Sequence, residues 1–417
     1  MPRIELPYGR ERVAIEVPEA NLIGCLEGRP MDVRPLEETF AEAWENPIGM
    51  DDPAESFQRG DSVVLVVTDH TRPTPTRELL PLIWGRVEGA ISPEDVTILV
   101  ATGTHRPTSD EELDDLLGDA RDTFRVAIHD CDRDVVDVGE TSRGNRILFH
   151  RLVAEADHVV TIGSIGMHYY AGYSGGRKNL LPGIAGRETI ERNHALLCCP
   201  ESCACSYEGN PINEEMVEAG RTVRYRFSVD VVLDASGRVG KIVVGEPEAA
   251  HAVGRAFWDE HFQVPLETQA DLVIASSGGH PKDINLYQAH KAQYNASLAT
   301  REGGLLVLVA ACPKGIGHPV FEDWIRRSET PEDALRIYEE EGFVLGGHKA
   351  VYLAKDRMRI DLALMSDLDS DLVRRFFMLP VTDPAEVLEL ARERFGPDYR
   401  VLVMPHAGVT FPVTDGS

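Results

Sequence analysis

The stretch SVVLVVTDHTRP (62–73) indicates the fold, because an unbroken apolar run leads directly into a polar turn. Such a run is typical of a strand that is buried on both faces of a parallel sheet. Helical stretches such as EELDDLL (111–117) separate further runs of the same kind, and this alternation predicts an α/β protein. The other runs, each followed by a turn rich in Gly, Thr, His, Ser or Pro, are VTILVAT (96–102), HVVTI (158–162), DLVIAS (271–276) and GLLVLVA (304–310).

The chain is too long for one ordinary core, since it has 417 residues. We expect two Rossmann-like domains with mostly parallel sheets and an active-site cleft between them. A boundary is predicted near 263–269, where VPLETQ follows a helix and precedes a new series of strands. The expected domains are residues 1–265, which carry the catalytic and cofactor-attachment functions, and residues 266–404. Residues 405–417 are expected to return to the first domain.

The charge of the chain excludes two classes of partner. The 42 basic and 69 acidic residues give 42 − 69 = −27, a surface that repels nucleic acid and anionic lipid. No apolar run approaches the roughly 20 residues that span a bilayer, and the first residues do not resemble a signal peptide. We therefore predict a cytoplasmic protein. Residues 164–194 are locally basic, with four basic and two acidic residues, and suit a small anion.

Cysteine usage also argues against secretion. The chain has seven cysteines, four of them in CCPESCAC (198–205). An odd count without other signs of export favours free thiols over a disulfide framework. A structural zinc site would require a second pair of thiolates, which the sequence lacks.

Four residues with useful chemistry follow the predicted strands or the segment after them: His105, His168, Lys178 and His194. In open parallel sheets, ligands bind beyond the carboxyl ends of the strands. Two imidazoles can act as acid and base near neutral pH. A lysine in a glycine-rich loop can bind an anion or form a covalent bond to a carbonyl-type group. The loop GYSGGRKN (172–179) is not a nucleotide-binding P-loop, because it lacks the second glycine and the Ser or Thr of that motif.

The segments that carry these four residues resemble those of a known enzyme family. The run HYYAGYSGGRKNLLPGI (168–184), with Asn193 and His194 after it, closely resembles the nickel-pincer-dependent lactate racemase family, whose members racemise or epimerise 2-hydroxy acids. The resemblance extends from about Val63 to the C-terminus, and its SGGRK block is highly specific. Similar segments in the same order are DHTRP (69–73), TGTHR (102–106), EGNP (208–211) and YQAHKA (287–292).

The resemblance implies a cofactor and a set of site residues. The cofactor is a nickel-pincer nucleotide, a pyridinium mononucleotide with two sulfur-bearing arms, joined to a lysine as a thioamide and built by dedicated biosynthetic enzymes. Lys178 would be the attachment point and His194 the nickel ligand, while His105 and His168 would be the catalytic acid and base. Residues implied in binding the cofactor are Asp69, Arg72, Gly175 and Gly176, with Asp69 also orienting a histidine; those implied in binding substrate are Arg72, Tyr287, Gln288 and Lys291.

The chemistry accounts for such an assembly. Removing the C2 proton of a 2-hydroxy acid places negative charge beside an ionised carboxylate, whereas removing a hydride, with a base taking the hydroxyl proton, leaves a neutral ketone. The ketone can take the hydride back on its other face, so the predicted activity is that of an isomerase. Two alternatives stay open: a sugar-acid C2 epimerase or other metal-dependent enzyme on this fold, and a two-lobed small-anion binding protein without catalysis. In the second, Lys178 would only bind a phosphate, and His194 would only lie at a helix end.

Overall fold

The structure, a computed structural model, describes residues 2–414, and strands and helices alternate along them. In chain order the strands are β1 (Arg3–Tyr8), β2 (Glu11–Glu16), β3 (Leu22–Cys25), β4 (Val63–Thr68), β5 (Val96–Ala101), β6 (Arg125–Ile128), β7 (Val135–Glu140), β8 (Arg146–His150), β9 (His158–Ile165), β10 (Met167–His168), β11 (Gly172–Tyr173), β12 (Tyr225–Leu233), β13 (Val239–Gly245), β14 (Gln263–Leu266), β15 (Ala270–Ser276), β16 (Thr300–Val309), β17 (Asp361–Met365), β18 (Leu379–Val381), β19 (Val401–Met404) and β20 (Phe411–Thr414). The helices are α1 (Leu36–Glu45), α2 (Thr76–Val87), α3 (Asp110–Leu117), α4 (Ala120–Thr123), α5 (Arg151–Glu155), α6 (Arg187–Ala195), α7 (Pro211–Gly220), α8 (Pro247–Phe262), α9 (Leu286–Ala299), α10 (Pro319–Arg327), α11 (Pro331–Glu341), α12 (Gly347–Arg359), α13 (Ser370–Arg375) and α14 (Pro384–Phe395).

The chain divides into two compact units. The central unit is Met31–Asp259, and the terminal unit joins Met1–Pro30 to Glu260–Ser417. This division differs from the expected domains of 1–265 with 405–417, and 266–404. The reason is strand pairing: β3 lies beside β19 in parallel, and β20 lies beside β14. Residues 2–30 and 405–414 therefore belong with the second series of strands, while 415–417 lie outside the described residues.

The central unit is built on a six-stranded sheet in the order β13-β12-β9-β4-β5-β6. All pairings in it are parallel except that of β12 with β13. Every residue of β4 is buried, as the unbroken apolar run predicts. Because β9, β4 and β5 are parallel neighbours, the segments that follow them leave the sheet at the same edge.

The terminal unit is built on a second six-stranded sheet, in the order β18-β17-β16-β15-β19-β3, with parallel pairing throughout. One apolar cluster joins strand residues to α9, α10 and α12, for example through Ala289, Trp324 and Ala350. A second cluster joins the sheet to the β1–β2 hairpin and α14, for example through Leu6, Ile15 and Val387. The predicted α/β class with mostly parallel sheets is confirmed, and the cleft between domains stays a prediction.

The helices also bear on membrane association. The longest of those described, α8, has 16 residues. Within residues 2–414 no helix is both long enough and apolar enough to cross a bilayer.

Candidate active site

An Asp–His pair lies where β4 and β5 end. Asp69 directly follows β4, and His105 ends the turn after β5, where its N–H donates to the Thr102 carbonyl at 2.9 Å. The two side chains meet, with 2.7 Å between His105 Nδ1 and Asp69 Oδ2. The His105 side chain is 34% exposed. A ring that donates through Nδ1 keeps its lone pair on Nε2, which is the arrangement of a general base.

Asp69 is held in its ionised form. Its carboxylate is buried and accepts hydrogen bonds from the Thr71 hydroxyl at 2.6 Å and the Thr71 N–H at 3.2 Å. Burial acts to raise the pKa of Asp69, but the hydrogen bonds from His105 and Thr71 outweigh it, and the pKa lies below its ordinary value. An ionised acceptor fixes the orientation of the imidazole.

The glycine loop requires backbone conformations that favour glycine. Gly175 has φ +83° and Gly176 has φ +50°. A Cβ on Gly175 would lie 2.7 Å from Ile165 Cγ1 and 3.0 Å from Asp230 Oδ1. The Gly176 N–H donates to Asp230 Oδ1 at 3.0 Å. These glycines shape the turn that carries Lys178, and their predicted contact with a cofactor stays a prediction.

The Lys178 amine lies in an environment that disfavours its charge. Burial, followed by the charges of Arg72 and Arg177, holds the pKa of Lys178 well below its usual range. Within residues 2–414, no Asp or Glu forms an ion pair with it. A lowered pKa increases the fraction of the amine that is uncharged, and the uncharged amine is the nucleophilic form.

Tyr170 brings three of the predicted residues together. The centroid of its ring lies 4.4 Å from that of His168 and 5.3 Å from that of His194. Lys178 Nζ lies 5.6 Å from the same centroid. His168 is the last residue of β10, the first strand of the short β10–β11 hairpin. Its Nδ1 accepts a hydrogen bond from the Ala171 N–H at 3.3 Å. Two imidazoles and one amine from separate segments therefore surround one phenol ring.

His194 is a neutral imidazole in this environment. It lies in the last turn of α6 and is 4% exposed. Burial, followed by the charge of Lys178, lowers the pKa of His194 to about 3. A metal ligand must be the neutral imidazole, so this environment suits one. The preceding residue, Asn193, anchors the helix by donating to the buried Glu215 at 3.0 Å.

Arg72 supplies positive charge at the end of β4. Its N–H donates to the Asp69 carbonyl at 3.1 Å, and its guanidinium donates to the Thr71 hydroxyl at 3.0 Å. The side chain is exposed, and its charge lowers the pKa of both Asp69 and Lys178. An exposed guanidinium beside these groups can bind a carboxylate through two hydrogen bonds.

Two of the four basic residues in 164–194 pair with groups of the protein itself. Arg177 is buried, where its guanidinium lies 2.7 Å from His251 Nε2 and donates to the Tyr173 carbonyl at 3.3 Å. Arg187 forms an ion pair with Asp132 at 2.7 Å. Net charge along a segment does not distinguish a buried arginine from one that faces a ligand. The cysteines form no disulfide within residues 2–414.

The other predicted substrate-binding residues lie in the terminal unit. Tyr287, Gln288 and Lys291 occupy the first two turns of α9. Asn285 caps this helix by accepting from the Gln288 N–H at 2.9 Å. Their role in substrate binding stays a prediction.

Sequence reasoning undervalued Tyr170 and missed Thr71 and Asp230. Tyr170 lies within the run 168–184 and receives no role there, yet its ring contacts His168, Lys178 and His194. Thr71 had one available signal, since a Thr two residues after an Asp commonly hydrogen-bonds it in a turn. Asp230 lies inside an apolar strand, and nothing local to that strand indicates that it supports a distant loop.

Comparisons with known proteins identify the family of the chain. Residues 8–204 match the lactate racemase N-terminal domain, and residues 266–413 match the lactate racemase C-terminal domain. Lactate racemase from Thermoanaerobacterium thermosaccharolyticum is 31% identical over 97% of this chain and 98% of its own length. Lactate racemase from Lactiplantibacillus plantarum is also 31% identical, with the same coverage.

Solved structures agree with the sequence matches. The lactate racemase apoprotein from T. thermosaccharolyticum superposes with a TM-score of 0.92 at 30% identity, covering 99% of this chain and 100% of that one. A protein from Thermotoga maritima, 19% identical with a TM-score of 0.66 over 93% of this chain and 100% of that one, shares the fold. The predicted family and the predicted enzyme class, an isomerase, are confirmed, and the chain belongs to the lactate racemase family.

Proposed function

We propose that this chain inverts C2 of a small, lactate-like 2-hydroxy acid. The observation that carries the proposal is the convergence of His168, Lys178 and His194 on the ring of Tyr170. A proton-transfer group, an amine whose pKa is lowered and a buried imidazole close to one aromatic ring suit this reaction. The names of the relatives support the same substrate class.

We further propose that Lys178 holds a nickel-pincer nucleotide through a thioamide and that His194 is a nickel ligand. The chemistry of the two side chains fits such a group. An amine with a lowered pKa can form an amide-type bond, and a buried neutral imidazole can donate to a metal. When bound, the group would accept the C2 hydride and return it to either face. The glycines Gly175 and Gly176 would let the loop approach it closely.

His105 and His168 are the proposed acid and base. His105 donates through Nδ1 to Asp69, which leaves Nε2 as an acceptor. His168 accepts at Nδ1 from the Ala171 N–H, so its neutral ring carries a proton on Nε2 and can donate there. These hydrogen bonds assign opposite roles to the two rings. In one direction His105 takes the hydroxyl proton of the first enantiomer, and His168 returns a proton to the ketone oxygen as the second enantiomer forms; the reverse reaction exchanges the two roles.

Substrate would be held by its carboxylate. The exposed Arg72 guanidinium, next to the Asp69–His105 pair, is the proposed carboxylate clamp. Tyr287, Gln288 and Lys291 are the proposed substrate-binding residues of the terminal unit. Gln288 and Lys291 are three residues apart on α9 and so share one face of the helix.

A covalent group on Lys178 is what distinguishes the proposed enzyme from a small-anion binding protein. A binding protein needs no such group, and Lys178 would then stay unmodified. The proposal therefore includes cofactor-building enzymes as partners, because a covalent group must be supplied and attached.

The test uses protein that is produced together with the cofactor-building enzymes. Enantiopure 2-hydroxy acids, beginning with lactate, are incubated with it, and the loss of optical rotation is followed. We expect racemisation or epimerisation by the wild-type protein and none by Lys178→Ala, whereas Lys241→Ala, a second lysine of the central unit, should keep full activity. Full activity of Lys178→Ala would contradict the covalent proposal, and inactivity of wild-type protein that carries nickel would contradict the proposed function.

A further inference from the structure

Three helix N-termini converge on Tyr287 in the terminal unit. Tyr287 itself is in the first turn of α9. His318, the N-cap of α10, stacks on its ring with centroids 5.0 Å apart. Lys349 and His348 lie in the first turn of α12. Lys349 Nζ is 4.7 Å from the Tyr287 ring centroid, and the His348 centroid is 6.5 Å from it. Since a helix N-terminus carries partial positive charge, the three ends make this region strongly electropositive.

Three buried basic side chains lie in the same region. Lys349 is 2% exposed, His348 is 1% exposed and His290 is 3% exposed. Acidic residues are favourable in the first turn of a helix, but α12 has none there and has two basic residues instead. Gly346, the N-cap of α12, has no room for a side chain, because a Cβ would lie 2.1 Å from the His318 ring. The packing thus brings basic groups together where a charge on one disfavours a charge on another.

His290 provides a second, independent observation that points to a ligand in this region. Its Nε2 is buried and, within residues 2–414, has no hydrogen-bond partner. Burial, followed by the charges of Lys349 and His348, holds the pKa of His290 well below its ordinary value. Burial and the charge of Lys291 do the same to the pKa of Lys349. A buried polar atom without a partner costs stability, and a small oxyanion would accept a hydrogen bond from His290 when its ring carries the proton on Nε2 and would favour the charged form of Lys349.

We infer that Tyr287, His290, His348 and Lys349 form an anion subsite that takes the distal carboxylate of a dicarboxylic 2-hydroxy acid. The inference deepens the proposed function and rests on it, because Gln288 and Lys291 of the same helix are proposed to bind the substrate. On binding, Lys349 takes up a proton from solvent and donates to the carboxylate as an ammonium, and His290 Nε2 gains a partner. A phosphate group offers the same oxyanion chemistry, so the experiment separates the two.

The test compares malate, which has the second carboxylate, with lactate, which lacks it. Cofactor-loaded wild-type protein should act on malate with a kcat/KM at least about tenfold above that for lactate, the size of one charge-assisted hydrogen bond. Lys349→Met should lower the malate-to-lactate ratio by about tenfold or more. Lys355→Met, an exposed lysine on the same helix, should leave the ratio unchanged. If Lys349→Met does not fold, His290→Val takes its place and should lower the ratio in the same direction.

If neither acid is turned over, calorimetry on the full-length protein without cofactor tests the anion subsite independently of the proposed racemase activity. Two results together support the subsite even if the proposed racemisation fails. The wild-type protein binds malate more tightly than it binds lactate or inorganic phosphate, and Lys349→Met weakens the binding of malate. Two results would overturn the inference. In the activity assay, the contradicting result is that loaded protein racemises lactate but not malate, or that Lys349→Met leaves the malate-to-lactate ratio of kcat/KM unchanged. In calorimetry, it is that the protein binds inorganic phosphate but not malate.

Discussion

Replacing Asp69 by Asn tests how His105 is held in its basic form. The variant keeps the size of the side chain but exchanges an ionised acceptor for an amide. In the structure the carboxylate is buried and lies 2.7 Å from His105 Nδ1. A hydrogen bond to a charged group contributes about 1.5–3 kcal/mol, which corresponds to about tenfold to one hundredfold in kcat/KM. We expect a loss in kcat/KM at the lower end of that range, because the His105 side chain is 34% exposed and solvent screens the pair.

The amide has a second effect on His105. Its NH₂ group can donate to Nδ1, and the ring then carries its proton on Nε2 and cannot act as a base. Racemisation by cofactor-loaded protein is the assay, with nickel content and intact mass measured in the same samples. The matched control is Asp61→Asn, since Asp61 lies 2.9 Å from His158 Nε2 in an Asp–His pair outside the candidate site. A value of kcat/KM for Asp69→Asn within about twofold of wild type, with cofactor content unchanged, would refute this reasoning.

Two further predictions concern the metal ligand and the loop. His194→Ala should lose bound nickel but keep the added mass on Lys178, because the ligand and the attachment point are different residues; an unchanged nickel content would contradict the assignment. Gly175→Ala should destabilise the fold by about 1–3 kcal/mol, since φ is +83° and the new Cβ would lie 2.7 Å from Ile165 Cγ1. Gly85→Ala, within α2 and with open space around it, should instead stabilise the fold by about 0.5–1 kcal/mol. Denaturant unfolding measures both glycine variants, and equal effects would count against the role of the loop geometry.

The strands could be predicted from sequence because burial on both faces gives an unbroken apolar run. VVLVVT of β4 needs no tertiary information, and the polar residues after such strands meet because parallel neighbours end at one edge. The domain boundaries could not be predicted in this way. β3 is only four residues long and partly exposed, so its run LIGC does not indicate that it pairs with β19.

The candidate site could be predicted only in part. The resemblance named His105, His168, Lys178 and His194, but no spacing in the chain indicates that three of them contact Tyr170. That arrangement depends on the β10–β11 hairpin, whose two-residue strands are too short to leave a periodic signal. The environments of the side chains are also properties of the fold, since the lowered pKa of Lys178 arises first from burial.

The proposed attachment of a cofactor to Lys178 is the central claim, and peptide mass analysis tests it most directly. Protein made with the cofactor-building enzymes is digested with trypsin, and the peptides around Lys178 are weighed. We predict a missed cleavage at Lys178 and an added mass on that residue, both absent from protein made without those enzymes. Unmodified Lys178 in a preparation that inverts a 2-hydroxy acid at full rate would contradict the account.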